Sequence, residues 1–226
     1  HMDRVTAWRF LNPPLAFAQG MVVNQAGKRF CNEMVYGATL GDAMCENNDG
    51  KAYLVLDAAL YDEAKTQASV ALPFQRDMAR MLMYFNSRKK STIEDLAKVY
   101  DIPEEDLRSS LEEYNQSAQN KMSCKFGKAA EDVKELKGPF YIMDISIDSK
   151  LAPLTTLTLG GLKVNEETGE VLNLKGKEIR GLYAAGRTAV GVCSNIYVSG
   201  LSIADCIFSG RRIGQNLDIK EVNNGI

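Results

Sequence analysis

Chemistry in this chain of 226 residues has few places to reside. The single histidine, His1, stands beside Met2 in what reads as a cloning remnant. That leaves no native histidine for a Ser-His-Asp triad, a Cys-His pair or a His-rich metal site. Five cysteines, Cys31, Cys45, Cys124, Cys193 and Cys206, are odd in number, far apart and never in a C-x-x-C arrangement. They read as reduced thiols in a cytoplasmic setting, not as a disulfide framework or zinc site, and no metal ligand set is assigned. Redox chemistry on a bound cofactor survives this filter, because the cofactor carries the hard step and the protein supplies positioning groups. The place for it is the final third, where the strand-like run Ile179–Gly186, expected to be buried, enters a polar loop and then a helix from about Gly200 to Asn216. Backbone N–H groups and the positive end of the helix dipole converge at such a junction. That geometry suits a phosphate or a polar ring and puts Gly200, Leu201, Ser202 and Ile203 first among the candidate binding residues.

The rest of the chain must hold that junction in place. Asn12-Pro13-Pro14 reads as an incoming connection, followed by a strand over Met21–Asn24, a hairpin-like turn at Gln25–Lys28 and a second strand candidate at Ala52–Asp57. Helical spacing then runs to Gln119, with Met78, Met81, Leu82 and Phe85 read as plain core. Ser91 and Thr92 with Glu94 and Asp95 form a capping-box signal, and Pro103 before Glu104-Glu105-Asp106 marks a helix running to about Gln119. Arg88-Lys89-Lys90 reads as a solvated turn and residues 126–139 as a charged, irregular stretch. Strands are expected at Phe140–Ile147, Thr155–Val164 and Glu170–Leu172, with a turn at Asn165–Gly169.

Composition is that of an ordinary globular chain, 45% hydrophobic and 25% charged, which argues against disorder. A formal net charge of −2 gives no footprint for a nucleic acid. No stretch approaches the roughly 18 apolar residues that a membrane span needs.

The run from Gly181 to Gly214, GLYAAGRTAVGVCSNIYVSGLSIADCIFSGRRIG, closely resembles the C-terminal flavin-binding signature of the fumarate reductase and 3-ketosteroid dehydrogenase superfamily. Gly160-Gly161-Leu162-Lys163-Val164-Asn165 resembles that family's glycine pair before a strand, and Gly27-Lys28-Arg29-Phe30-Cys31-Asn32-Glu33 resembles the G-x-R-F-x-N-E segment of its capping domain. The resemblance covers most of the chain in the family's own order. It implies an α+β fold: an incoming connection at 1–18, a substrate-capping domain at 19–150, a C-terminal FAD-binding segment at 151–219 and a tail at 220–226. It also implies FAD as cofactor, with Gly161, Gly186 and Arg187 joining Gly200, Leu201, Ser202 and Ile203 as binding residues. Complete members begin with a G-x-G-x-x-G loop, yet no two of the 18 glycines here are separated by a single residue. The N-terminal half is therefore expected to be absent, supplied by a partner or lost, with weak FAD binding in this chain alone. A homo-oligomer remains open.

For substrate, the resemblance implies a choice. Fumarate reductases hold a dicarboxylate with histidines and arginines. Here Leu157-Thr158-Leu159 stands where those enzymes carry a His, and Tyr197 stands at their substrate-binding Arg. Tyr197-Val198-Ser199-Gly200 is similar to the Tyr-x-Ser of the 3-ketosteroid dehydrogenases, and Tyr36 is similar in placement to a capping-domain tyrosine. The implied activity is desaturation, or reduction, of a carbon–carbon bond beside a ketone in a hydrophobic substrate, with Tyr197, Ser199 and Tyr36 as catalytic residues. Three alternatives stay open. One is a fumarate reductase-like enzyme for a small organic acid; another is a noncatalytic module that needs a partner to supply the flavin half. In the third, Tyr197 is structural and Ser199 caps the final helix.

Overall fold

The computed structural model of the protein describes residues 5–8, 14–152, 155–192, 194 and 197–217. Cys193, the tail 220–226 and most of the incoming connection lie outside the described residues. In chain order the elements are β1 (Val5–Trp8), α1 (Leu15–Ala18), β2 (Met21–Val23), α2 (Gly37–Asn47) and β3 (Tyr53–Asp57). Next come α3 (Ala58–Ser69), α4 (Pro73–Met81), a π-helical turn (Leu82–Asn86), β4 (Ser87–Lys90), α5 (Ile93–Ala97), α6 (Glu104–Gln119) and β5 (Phe140–Asp144). The chain ends with β6 (Thr155–Thr158), β7 (Glu170–Leu172), β8 (Glu178–Tyr183) and α7 (Leu201–Asn216). The fold is mixed α+β, and the chain divides into two compact units, residues 7–155 and residues 156–226 with 1–6.

The larger unit is built on an antiparallel sheet of order β2-β3-β5-β4. Central β3 is buried at all five positions, with Leu54 opposite Met143 and Val55 opposite Ile142 on β5, as an unbroken Tyr-Leu-Val-Leu run requires. Helix α6 lays Leu107, Ser110, Leu111 and Tyr114 into the core at i, i+3, i+4 and i+7. It begins where Pro103 and three acidic residues predict, and Thr92 accepts the Asp95 N–H at the start of α5. Asp57 caps α3 by accepting the Leu60 N–H at 2.8 Å.

Behind this sheet lies a buried charge cluster. Glu33 accepts Arg29 Nε at 2.9 Å, an Arg29 terminal nitrogen at 2.8 Å and the Val22 N–H at 3.1 Å. Lys128, fully buried, donates to Gly20 O and Tyr114 Oη at 2.8 Å each and sits 3.4 Å from Glu33. Two cations thus share one carboxylate. Burial presses the Lys128 ammonium below its ordinary range, and the Glu33 charge opposes that shift. Cys31 lies within this field, its thiol pushed up to about 12 chiefly by burial.

Among the described residues the smaller unit has a small core, in which Val171, Ala184 and Ala189 are buried with Val164 against them, and β7 pairs with β8. The run Ile179–Tyr183 is not buried as expected: β8 is exposed along nearly its whole length, with Leu182 46% accessible. Its only paired neighbour among the described residues is β7, so no layer covers its faces. The charged stretch 126–139 is irregular as expected, apart from a 3-10 turn at Ala130–Asp132, and is held by Lys128 and by Asn115, which bonds both the carbonyl and the N–H of Leu136. Two more local readings change. Arg88-Lys89-Lys90 is an edge strand, because Arg88 pairs opposite Ile142 of β5. The methionine stripe is split: Leu82 and Met83 enter the core, whereas Phe85 is exposed.

Two measurements probe this arrangement. Glu33→Gln removes the one anion shared by Arg29 and Lys128 and should destabilise the larger unit by about 3–5 kcal/mol, read as a lower urea midpoint. Iodoacetamide at neutral pH should label exposed Cys45 and Cys206 in the native protein, whereas Cys31 should react only after unfolding.

Candidate functional site

The smaller unit brings together most of the sequence-predicted binding residues. At the end of β8 the chain passes buried Ala184 and turns at Gly186, where φ is 57° and a Cβ would stand 2.6 Å from Cys206 Sγ. Only glycine fits there, because both the backbone region and the space exclude a side chain. The Gly186 N–H donates to Ser209 Oγ at 2.8 Å, and Ser209 Oγ donates to Asp205 O at 2.5 Å. The strand end is thereby fastened to the inner face of α7.

The next residues are stitched to the glycine pair. Leu162 N–H donates to Thr188 O at 2.8 Å and Val190 N–H to Leu162 O at 2.9 Å, making a parallel bridge between Leu162 and Ala189. A Cβ on Gly161 would lie 2.5 Å from Thr188 O and 2.8 Å from Ala189 C, so the approach is backbone on backbone. Gly161, Gly186 and Arg187 therefore converge on one turn. Gly191 packs directly on the Asp205 carboxylate and donates to Ser194 Oγ at 2.8 Å.

At the start of α7, Gly200 takes the N-cap position with φ 87° and ψ −26°, without a side-chain cap. Ser199 stands one residue outside that cap. Both Ile203 and Ala204 N–H groups turn back to Gly200 O, at 3.2 and 3.4 Å. Among the described residues no atom lies within 4 Å of a Cβ built on Gly200, and no acidic residue occupies the first turn. The Leu201 N–H donates to Val198 O at 3.1 Å, so the positive helix end at Gly200, Leu201, Ser202 and Ile203 offers a ligand its dipole more than free N–H groups, which suits the electron-rich edge of a flavin ring or a phosphate. Tyr197, half-buried, and Ser199, exposed, place hydroxyl-bearing residues immediately before it. Tyr36 belongs to the larger unit, where it is the N-cap residue of α2 and 38% exposed.

Sequence reasoning passed over the other face of α7. Asp205, Ser209 and Arg212, at i, i+4 and i+7, line a cavity of about 610 Å³ with Lys163, Val164 and Phe208. Their signal was a polar stripe on an otherwise apolar helix. Arg212 donates to Glu166 O at 2.7 Å, lies over the Phe208 ring at 5.7 Å and has a buried Nε with no partner among the described residues. Neither Tyr197 nor Ser199 lines this cavity.

The FAD binding domain family matches residues 14–200. A 3-oxo-5-alpha-steroid 4-dehydrogenase of Comamonas testosteroni is 40% identical over 188 residues, which is 82% of this chain and 36% of that protein. A probable fumarate reductase of Shewanella frigidimarina is 31% identical over 196 residues, 87% of this chain and 30% of that protein. Among solved structures, a 3-ketosteroid-delta4-(5alpha)-dehydrogenase from Rhodococcus jostii RHA1, in complex with 4-androstene-3,17-dione, matches with a TM-score of 0.77. It is 32% identical to this chain, and the match covers 96% of this chain and 42% of that one. The chain spans about a third of the length of these curated relatives. Among the described residues, no helix is long and apolar enough to cross a membrane.

Gly161→Ala should break the stitch, since Thr188 O and the Ala189 carbonyl carbon are main-chain atoms that cannot rotate away. The expected cost is about 1–3 kcal/mol, confined to the smaller unit and visible as faster proteolysis within residues 156–217.

Proposed function

The chain belongs to the FAD binding domain family, and from that premise we propose that it is part of an FAD-dependent oxidoreductase. Its substrate in this reading is a hydrophobic ketone such as a 3-ketosteroid, in which a carbon–carbon bond beside the ketone is desaturated or, in reverse, saturated. We assign residues 19–150 to a capping domain and residues 151–219 to the C-terminal FAD-binding segment. The observation that carries the reading is the turn before α7, where the residue types at Tyr197 and Ser199 are hydroxyls, not cations, next to the helix N-terminus at Gly200. The 40% identity to a steroid dehydrogenase supports it.

FAD supplies a hydride acceptor when bound. The chain's own residues bind and handle protons. Gly200, Leu201, Ser202 and Ile203 would present the positive end of the α7 dipole to the cofactor, and the turn built by Gly161, Gly186 and Arg187 fixes the strand that leads to them. The ketone acidifies the neighbouring C–H, and Ser199 relays that proton with help from Tyr197. Ser is a weak base at its free pKa, so it passes the proton onward and does not keep it. Loss of that proton and of a hydride from the adjacent carbon leaves the double bond.

The second reading, an enzyme for a small organic acid, has the 31% identity to a probable fumarate reductase in its favour. A dicarboxylate needs charge-assisted donors, and Tyr197 and Ser199 do not provide them. In the third, the chain is a noncatalytic module completed by a partner.

Titration with FAD tests the flavin site, performed on the chain alone and with the separately expressed remainder of the relatives' length, and turnover by the reconstituted protein separates the noncatalytic reading from the others. Tight binding is expected only in the second case. In the FAD-loaded protein, Tyr197→Phe and Ser199→Ala should each lower ketosteroid-dependent dye reduction by about 10²-fold or more while leaving FAD binding unchanged. The same assay on Tyr36→Phe tests the third hydroxyl. Turnover of fumarate in place of the ketosteroid would overturn the steroid reading.

A further inference from the structure

Helix α4 and the π-helical turn that continues it carry two apolar stripes. Ala79, Leu82 and Met83 are buried and hold the segment to the core of the larger unit. The other stripe, Phe74, Met78, Met81 and Phe85, follows i, i+4, i+7 and i+11 and stays at the surface. Phe74 and Phe85 are each 63% exposed, and both methionines are half-buried. Val70 at 86%, Leu72 at 60% and Tyr84 at 66% exposure extend the same region. One stripe is enough to seat a helix, and a second one carrying two exposed aromatics, with Tyr84 beside it, marks an interaction surface.

Charge identifies the partner. Residues 70–90 contain Arg76, Arg80, Arg88, Lys89 and Lys90 against Asp77 alone, a net 5 − 1 = +4. The chain as a whole is −2, so the other residues sum to −2 − 4 = −6. Asp77 is already paired with Arg76 at 3.3 Å. The Arg88 guanidinium donates to the carbonyls of Phe85 and Ser87 at 3.2 and 3.0 Å, which holds a cation beside the exposed aromatic. Three of the basic residues lie on β4, the outer strand of the sheet, where they oppose strand pairing with a second copy of the chain.

We propose that this surface docks on an anionic lipid bilayer, with Val70, Leu72, Phe74 and Phe85 entering the interfacial layer and Arg80, Arg88, Lys89 and Lys90 meeting the headgroup phosphates. Basic residues around exposed Phe and Leu are the composition of a segment that lies in the interface without crossing it. Tyr84 has the amphipathic ring suited to headgroup depth. Docking requires neither flavin nor substrate, so it stands or falls separately from the proposed reaction. An apolar ketone dissolved in the bilayer would be met where it resides.

Co-sedimentation with vesicles of phosphatidylcholine alone, or of phosphatidylcholine with phosphatidylglycerol, tests the assignment on the chain itself. The chain should pellet with the anionic vesicles, at least ~10-fold more tightly than with neutral ones, and high salt should weaken the binding. Phe74→Ser with Phe85→Ser, and separately Lys89→Glu with Lys90→Glu, should each cost ~10-fold or more in apparent affinity while circular dichroism stays unchanged. No pelleting, equal pelleting on both vesicle types, or insensitivity to either pair of substitutions overturns the proposal. So does self-association without lipid that the serine pair abolishes, which would make the surface a contact between copies. Binding should persist in a chain carrying the relatives' remaining length; its loss there would show that the patch packs within the longer chain, and overturns the proposal as well.

Discussion

The larger unit is organised around one carboxylate. Glu33 is fully buried, and from that position it neutralises Arg29 on the turn after β2 and Lys128 on a loop about a hundred residues later in sequence. Burying two cations is tolerable only with an anion and fixed acceptors at hand. Gly20 O and Tyr114 Oη supply the acceptors, and Tyr114 in turn donates to Gln19 O at 2.7 Å. The cluster therefore joins β2, α6 and the loop before β5 in one network. It also fixes the short turn from Glu33 to the start of α2, where Tyr36 stands. In this network Arg29 and Glu33 of the Arg-Phe-Cys-Asn-Glu segment are buried and bonded to each other.

The smaller unit solves a different problem. Its apolar core is a handful of residues, so main-chain geometry substitutes for burial. The Leu162–Ala189 bridge, the Gly186–Ser209 bond and the Asn165 turn, whose side chain accepts the N–H groups of Glu167 and Thr168, set positions that packing would set elsewhere. Glycine is required at Gly161 and Gly186 for that reason, since each admits a second backbone or a sulfur where a Cβ would otherwise sit. A unit held this way places a turn accurately but keeps little stability in reserve.

What was legible in the sequence was whatever is decided locally. The start of α6 follows from Pro103 and the acidic run, the cap of α5 from Thr92, and the start of α7 from the glycine that ends a polar loop. Burial was less legible, because it depends on neighbours that the local pattern does not name. Lys128 looked like one more charge in an irregular stretch, yet it is fully buried, since its partners lie 14 to 108 positions away. The Ile179–Tyr183 run has the apolar character of a covered strand but is paired on one side only. The methionine pattern fixed a helix without saying which of its two apolar stripes faces inward. Of the candidate site, the glycine turn at Gly186 and the helix start at Gly200 lie where the sequence puts them. The polar face of α7 was not legible, because Asp205, Ser209 and Arg212 gain meaning only when the turn at Gly186 and the residues around Glu166 fold against them.

These placements separate two tasks on one helix. The inner face of α7 fastens the unit through Ser209 and Arg212, and its N-terminus carries no acidic residue and no side-chain cap. Substrate preference, in the proposed reading, is set just outside that end by Tyr197 and Ser199, neither of which is among the buried residues. In that reading the glycine geometry of the cofactor side is set elsewhere, by the close approach of Gly186 to Cys206 and its bond to Ser209. The chain is 40% identical to a steroid dehydrogenase and 31% identical to a probable fumarate reductase, and a shared scaffold with substrate choice left to a few residues at one turn is the reading that accommodates both likenesses.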